Sequence, residues 1–218
     1  GGWNHSQAAR EARQALDLNP SVGHSALGSI YDHLGLDETT GLREFQREIE
    51  IDPTDEFNHW RLADAYFLYG KFDEALEVSR RSSGVPFAPA LIGKGQLDEA
   101  TQVLEMSLKK SPGNMRDQSS LALIMALKGR HEDAEAAIPA ILQQARNQTP
   151  YHHITYNAAC IYALGGKTDE YVKWLRTTAE TGMPNYPLFE RDPYLNRIRQ
   201  APEFIQFLAE MKEQHERY

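Results

Sequence analysis

Residues 62–75 read LADAYFLYGKFDEA, and the rest of the chain is organised around this stretch. An apolar run leads up to Gly70, and glycine is a strong local marker of a turn. Asp73 and Glu74 follow, and acidic side chains are favourable in the first turn of a helix. The stretch therefore predicts the end of one helix, a tight turn at Gly70 and the start of a second helix.

Similar turns recur along the chain at a nearly constant spacing. We mark them by Gly35, Gly70, Gly95, Gly129 and Gly165, which lie 35, 25, 34 and 36 residues apart. A period near 34 residues is typical of stacked helical hairpins. The one short interval predicts that the third hairpin is shortened.

The residue types around each turn repeat as well. A small residue and a large apolar or aromatic residue precede the turn, as in Leu27-Gly28 with Tyr31, Leu62-Ala63 with Tyr66, Leu121-Ala122 with Met125, and Ala158 with Ile161. A small residue and an apolar residue four positions later follow it, as in Gly41 and Phe45, Ala100 and Leu104, and Ala134 and Ile138. The small residues allow two helices to approach closely. Pro53 and Pro112 then separate the units, because proline cannot continue the preceding helix.

This pattern resembles the tetratricopeptide repeat (TPR) family, whose units read Leu-Gly-x-x-Tyr, then Ala-x-x-x-Phe, then Pro. The resemblance covers nearly the whole chain. It implies an all-α fold, a right-handed superhelical solenoid of antiparallel helix-turn-helix repeats with a C-terminal capping helix. The sequence departs from the family at the usual tryptophan position, which holds His24, His59, Gln118 and Ile154, and Trp60 comes one residue late.

We expect a single TPR domain over residues 1–218. Its expected parts are the second helix of a truncated repeat at 1–20, repeats at 21–54 and 55–83, a shortened repeat at 84–113, repeats at 114–149 and 150–183, and a cap at 184–218. Because the chain begins in the middle of a repeat, we expect it to be a piece of a longer protein. Pro86 and Pro89 prevent a full first helix in the shortened repeat, and Pro139 predicts a kink or local break in the fourth.

Bulk composition excludes several classes of partner. The net charge of −8 and the pI of about 5.5 argue against a broad surface for nucleic acid or anionic lipid, so we expect neither nucleic-acid contact nor membrane binding. The sequence has no apolar run of about 20 residues and no signal segment at its start. Cys160 is the single cysteine, which excludes an intrachain disulfide and favours a cytoplasmic, reducing location. We interpret it as a small buried residue.

The chain carries no pattern that indicates catalysis, a metal or a cofactor. His24 and His59 lie 35 residues apart at equivalent repeat positions, without further ligands at a fixed spacing. His152 and His153 are adjacent in a predicted helix and point about 100° apart, which makes a poor chelate. We therefore expect no catalytic residue, no metal site, no cofactor and no enzyme activity.

The resemblance also implies where a partner binds, because the first helices of TPR hairpins line a concave groove. It places the following side chains in that groove: Phe57, Trp60, Asp64, Phe67, Arg116, Ser119, His152, Thr155 and Tyr162, with Ser25, Ser29, Asp32, His33 and Leu123 beside them. Trp60 and Phe67 are seven residues apart and so share one helical face. Aromatic side chains dominate the binding energy of many interfaces. The lysine and asparagine clamp by which some relatives hold a C-terminal carboxylate is not recognisable.

Three functions remain open at this point. The leading one is a non-catalytic protein–protein interaction module or scaffold that binds a partner peptide or helix in its groove. The alternative is a sensory or regulatory TPR region of a larger bacterial signalling protein, since the run from Tyr156 to Met211 resembles TPR regions attached to winged-helix transcription regulators, serine/threonine kinases or nucleotide cyclases. The third is an enzyme with a cleft near Gly84 to Gly95, for which no acid, base or nucleophile is legible. The oligomeric state is open.

Overall fold

The computed structural model describes residues 11, 14, 17, 18, 20–146 and 151–217, and every regular element among them is helical. The elements are α1 Pro20–Leu34, α2 Glu38–Ile51, α3 Glu56–Leu68, α4 Phe72–Ser83, α5 Ala88–Gly93, α6 Leu97–Lys110, α7 Met115–Leu127, α8 His131–Ala145, α9 Tyr151–Gly165, α10 Thr168–Glu180, α11 Tyr186–Arg191, a 3-10 helix Pro193–Ile198 and α12 Pro202–His215. The all-α prediction is confirmed. None of these helices is long and apolar enough to cross a membrane. Most of the predicted truncated repeat at 1–20, and the end of the fourth repeat at 147–149, lie outside the described residues.

Five turns share one hydrogen-bond pattern. In each, the N–H after a glycine donates to the carbonyl five residues earlier, from Leu36 to Tyr31, Lys71 to Tyr66, Gln96 to Leu91, Arg130 to Met125 and Lys167 to Tyr162, at 2.8–2.9 Å. The glycines have φ between 66° and 82°. This is the Schellman arrangement, in which a left-handed residue ends the helix and its last carbonyls are satisfied. Glycine is favoured there because a Cβ would be strained.

The fifth turn corrects the predicted register by one residue. Gly165 is the last residue of α9, and Gly166 is the residue with the left-handed backbone, at φ 73°. The sequence has two adjacent glycines at this point, and the hydrogen bond from Lys167 to Tyr162 decides between them. Tyr162, rather than Ile161, is therefore equivalent to the tyrosines that precede the first two turns.

The described chain divides into two compact units. The N-terminal unit comprises the described residues up to Gln96 with residues 215–217, and the C-terminal unit comprises those of Leu97–Gln214. In the N-terminal unit each helix from α1 to α5 packs on the next, and α1 also packs on α3. In the C-terminal unit each helix from α6 to α10 packs on the next, and α7 also packs on α9. Contact between successive first helices is the pattern of stacked hairpins, which bury their apolar sides on their neighbours.

The small residue before each turn marks a close approach of two helices. A Cβ on Gly28 would lie 2.9 Å from two ring carbons of Phe45, and the Phe45 side chain is 1% exposed. Counted from the left-handed glycines, the equivalent residues are all alanines and all buried: Ala63, Ala88, Ala122 and Ala159. Between α1 and α2, the Phe45 ring therefore occupies the space that a side-chain methyl group at position 28 would need.

Two proline predictions have different outcomes. The third hairpin is shortened as predicted, since α5 has six residues and begins with Pro89 in its first turn. The predicted break at Pro139 is absent, because α8 runs from His131 to Ala145 without interruption. Pro139 is exposed. The ring therefore faces water, and α8 continues past it although proline cannot donate the usual helical hydrogen bond.

The last helix closes the C-terminal unit, as expected of a cap. Phe204 and Phe207 of α12 are buried, and the Phe207 ring lies 5.4 Å from that of Phe189 in α11. The Arg176 guanidinium of α10 donates two hydrogen bonds, of 2.6 and 3.1 Å, to the Glu210 carboxylate. Apolar burial and a two-point ion pair thus fix α12 on the elements before it.

Cys160 is fully buried in α9, which confirms its structural interpretation. Burial raises the pKa of its thiol well above the usual range, and the nearby Asp192 carboxyl raises it further. Asp192 itself accepts the backbone N–H of Tyr194 at 2.8 Å, which caps the 3-10 helix, and it accepts the Tyr156 hydroxyl. Through these hydrogen bonds, Asp192 joins α9 to the start of the 3-10 helix.

Candidate partner-binding site

The first four predicted site residues lie on α3, which begins at a defined N-cap. The Asp55 carboxylate accepts the backbone N–H of Phe57 at 2.9 Å and so satisfies a donor that the helix start would otherwise leave open. Residues three, four and seven positions apart lie on the same side of such a helix. Phe57, Trp60 and Phe67 accordingly contribute rings to one cluster, and Asp64 is buried beneath this side of the helix.

Five aromatic rings of the N-terminal unit form a continuous series. Phe57 stacks on Trp60, with ring centroids 5.8 Å apart and an interplanar angle of 8°. Trp60 meets Phe87 edge to face at 6.1 Å, and Phe87 meets Phe67 in the same way at 6.2 Å. Phe67 then lies 6.0 Å from Phe72. We call these five rings the aromatic strip. Offset and edge-to-face contacts at these distances are the favourable arrangements of aromatic pairs.

Exposure changes along the aromatic strip. The Phe57 side chain is 58% exposed, Trp60 is half-buried, and Phe87 is only 6% exposed. The strip therefore presents an open aromatic end whose ring planes are held from behind by buried neighbours. Because neighbouring rings already restrict the exposed ring, an apolar group could bind to it with little further loss of side-chain entropy.

Phe87 belongs to the site and was missed from the sequence. Gly84 ends α4 with a left-handed φ of 72°, and Phe87 is the extended residue that caps α5. Its backbone N–H donates to the buried Ser79 hydroxyl at 3.0 Å. Counted from the turn glycines, Ser79 occupies the position of the apolar Leu104 and Ile138 in other hairpins. A serine in that apolar position, directly before the missing helical turns, was the signal that could have revealed the contact.

Arg61 is a second residue that the sequence reading did not single out. Its guanidinium lies over the Phe45 ring at 5.4 Å and over the Phe57 ring at 5.6 Å. It also donates to the backbone carbonyl of Ser25 at 3.0 Å and to the Ser29 hydroxyl, so it joins α3 to α1. Burial lowers the pKa of Arg61, and the carboxylates around it oppose that change. Arg61 therefore contacts the rings of Phe45 and Phe57 while it joins α3 to α1.

Four carboxylates are buried on the α1–α3 side of the unit: Asp32, Glu44, Glu48 and Asp64. Glu44 lies 2.6 Å from the His24 imidazole, and Glu48 accepts the Ser25 N–H at 2.6 Å. Burial raises the pKa of Asp32, while His33 and Arg61 oppose this. Of the predicted groove residues, Asp32 and Asp64 therefore lie beneath the surface, where they supply negative charge without presenting a face to a partner.

The predicted residues of the C-terminal unit fall into two groups. Ser119 and Thr155 are fully buried. The Ser119 hydroxyl donates to the Arg116 carbonyl at 2.8 Å and accepts the Asn157 amide at 2.9 Å, and the Thr155 hydroxyl pairs with that of Thr178 at 2.8 Å. Such contacts join α7, α9 and α10 within the unit. They leave these two hydroxyls unavailable for direct contact with a docked chain.

Arg116, His152 and Tyr162 are half-buried. His152 lies 3.3 Å from the Thr181 carbonyl, and burial, with Glu170 and Glu135 nearby, raises the pKa of Tyr162. Because the left-handed glycine of this hairpin is Gly166, the residues equivalent to Phe57, Trp60 and Phe67 are His153, Tyr156 and Ala163, and all three are buried. A role for the half-buried residues stays a prediction.

Comparison with solved structures places this arrangement in a known fold class. The chain matches a crystal structure of the APC/C hetero-tetramer Cut9-Hcn1 with a TM-score of 0.59 and 14% identity, over 97% of this chain and 46% of that chain. It thus spans less than half of the Cut9-Hcn1 chain that it resembles. The expected all-α stack of TPR-type hairpins is confirmed. At this identity the likeness is one of fold.

Two further structures match more loosely. One is YrrB, described as a TPR protein with an unusual peptide-binding site, with a TM-score of 0.42 and 15% identity over 83% of this chain and 96% of that chain. The other is Naa15/Naa10 bound to HypK-THB, with a TM-score of 0.40 and 17% identity over 99% and 35% of the two chains. No protein-family model and no curated protein matches the chain.

Proposed function

We propose that this chain is a non-catalytic protein–protein interaction module, and that its N-terminal unit binds a partner peptide or helix through the aromatic strip. One observation supports this most directly. Phe57 exposes more than half of its side chain to water while stacking on Trp60, which is itself backed by the buried Phe87. Large apolar side chains that are exposed together often indicate an interaction surface.

The geometry of the strip suits an anchor for a peptide. Phe57 and Trp60 each have only two rotatable side-chain bonds. Phe57 stacks on the Trp60 ring of its own helix, and Trp60 contacts the Phe87 ring of the next segment. Their orientation is therefore set before a partner arrives, which lowers the entropic cost of binding. Trp and Tyr are enriched among the residues that dominate interface energies, so Trp60 is the expected hot spot.

A non-catalytic role agrees with the state of the buried ionisable groups. Burial raises the pKa of Asp192, whose carboxylate caps the 3-10 helix, and Glu48 accepts a backbone N–H at 2.6 Å. These groups are used in holding elements together. A cytoplasmic location and a place within a larger signalling protein belong to the proposal as well, and they rest on the sequence pattern alone.

The proposal is tested by panning a random peptide display library on the intact chain and measuring the affinity of the enriched peptides. We expect Trp60→Ala to weaken their binding by about tenfold or more, with helicity unchanged. Trp174→Ala is the matched control, because Trp174 is also half-buried but lies in the C-terminal unit. Affinities that are equal for the wild type, Trp60→Ala and Phe57→Ala would contradict the assignment.

A further inference from the structure

We infer that the peptide bound by the aromatic strip is basic, with a lysine or arginine side chain next to its apolar anchor. This inference rests on the proposed function and adds the chemistry of the partner. It is argued from the acidic residues near the exposed end of the aromatic strip and from the ion pairs that the basic residues of this unit already form.

The segment that leads into the strip carries only negative charge. Residues 48–60 contain five acidic side chains and no lysine or arginine. The Asp52 carboxylate accepts the Thr54 N–H at 3.0 Å, and hydrogen bonding to Thr54 lowers the pKa of Asp52, so this group stays ionised at neutral pH. Glu56 is exposed and directly precedes Phe57. The Asp55 cap and the exposed Glu56 therefore place two carboxylates directly before Phe57 in the chain.

The cations of the N-terminal unit do not offset this charge. Residues 24–96 contain thirteen acidic and seven basic side chains. Lys71 pairs with Glu38 at 2.6 Å, Arg81 pairs with Glu77 at 2.6 Å, and Lys94 pairs with Asp73. Arg61 is held inside between α1 and α3. Four of the thirteen carboxylates are buried, and the remaining nine still outnumber the seven basic side chains.

A cationic side chain gains from both features of this surface. Exposed carboxylates next to Phe57 attract a lysine or arginine, and this attraction is strongest at low salt. The face of an aromatic ring also attracts cations, and Arg61 shows this geometry within the chain, with its guanidinium 5.6 Å from the centre of Phe57. An acidic peptide would meet repulsion at the same place, so charge selects between peptides with equal apolar anchors.

The panning experiment separates this inference from the proposed function. We expect the enriched peptides to carry lysine or arginine beside an apolar residue, to lose affinity in Trp60→Ala, and to bind more weakly as salt is raised. Neutral or acidic peptides that still depend on Trp60 would overturn the basic partner and leave the proposed function standing. Enrichment that does not depend on Trp60, or no enrichment, would overturn both.

A charge variant gives a second, independent measurement on the intact chain. Glu56→Gln removes an exposed carboxylate beside Phe57 without touching the Asp55 cap, and we expect it to weaken the enriched peptides by about threefold at low salt. Glu105→Gln is the control, because Glu105 is also an exposed helical glutamate but lies in the C-terminal unit. Equal losses in both variants would contradict the assignment. Self-association of the wild type that disappears in Phe57→Ala would show a second copy as the occupant and overturn the basic peptide.

Discussion

The backbone N–H of Phe87 donates to the Ser79 hydroxyl at 3.0 Å, and Ser79 in turn donates to the Leu76 carbonyl at 3.1 Å. Both residues are buried. Ser79→Ala would leave a buried N–H without its acceptor, and we expect the free energy of unfolding to fall by about 1–3 kcal/mol. Urea denaturation measures this. Ser111→Ala, at an exposed serine, is the control and should change stability by less than about 0.5 kcal/mol. A Ser79 variant as stable as this control would contradict the role assigned to the hydroxyl.

Gly28→Ala tests the close approach of α1 and α2. The added methyl group would lie 2.9 Å from the Phe45 ring, and that ring is enclosed on all sides. We expect a loss of about 1–3 kcal/mol in the free energy of unfolding, as for other overpacked cores. Gly113→Ala is the matched control, because a Cβ there meets no atom within 4 Å. If the two variants unfold at the same denaturant concentration, the packing argument fails.

The Cys160 thiol should be unreactive in the folded protein. Because burial raises its pKa, the thiolate that reacts with disulfide reagents is scarce, and the surrounding helices also block access to the sulfur. We expect labelling by a chromogenic disulfide reagent to be negligible under native conditions and to reach one thiol per chain in denaturant. Rapid labelling of the native chain at neutral pH would contradict the burial of α9.

The ion pair between Arg176 and Glu210 gives a predicted dependence of stability on pH. Hydrogen bonding to Arg176 lowers the pKa of Glu210 in the folded state. The pair therefore stabilises the protein above the unfolded pKa of glutamate, near 4.3, and this contribution is lost as pH falls through the folded pKa. Each side chain is 39% exposed, so we expect a contribution of about 0.5–1 kcal/mol at neutral pH.

Comparison of the wild type with Glu210→Gln isolates the contribution of the ion pair between Arg176 and Glu210 to stability. The difference in the free energy of unfolding should be present at pH 7 and should shrink towards zero as the pH falls below the unfolded pKa of glutamate and through the lowered pKa of Glu210 in the folded state. Glu213→Gln, an exposed change in the same helix, controls for the loss of one negative charge. A difference that grows on acidification would mean that the sign of the argument is wrong.

The repeat period made most of the fold predictable, because local signals agree at each hairpin. In α6, for example, an acidic first turn with Asp98 and Glu99 and a last turn with two lysines mark the two ends of the helix. The turn at Gly165 was placed one residue early because two glycines stand together, and a hydrogen bond rather than a residue type decides between them.

The candidate site was less predictable, because helical periodicity gives the direction of a side chain and not its depth. The spacing of Trp60 and Phe67 predicts one shared helical face, and the family resemblance adds Phe57 to the predicted groove. Ser119 and Thr155 share the predicted face but are covered by neighbouring helices, which only the packing reveals. Phe87 was missed because it lies in an extended segment, where a helical pattern does not apply.

Phe87 also links the shortened repeat to the candidate binding site. The stretch after Gly84 forms a first helix of only six residues, and the ring of Phe87, which precedes that helix, contacts Trp60 edge to face. Beside this shortened repeat, the neighbouring hairpin carries the exposed Phe57 and the half-buried Trp60. Irregular repeats in such arrays are therefore good places to look for recognition sites.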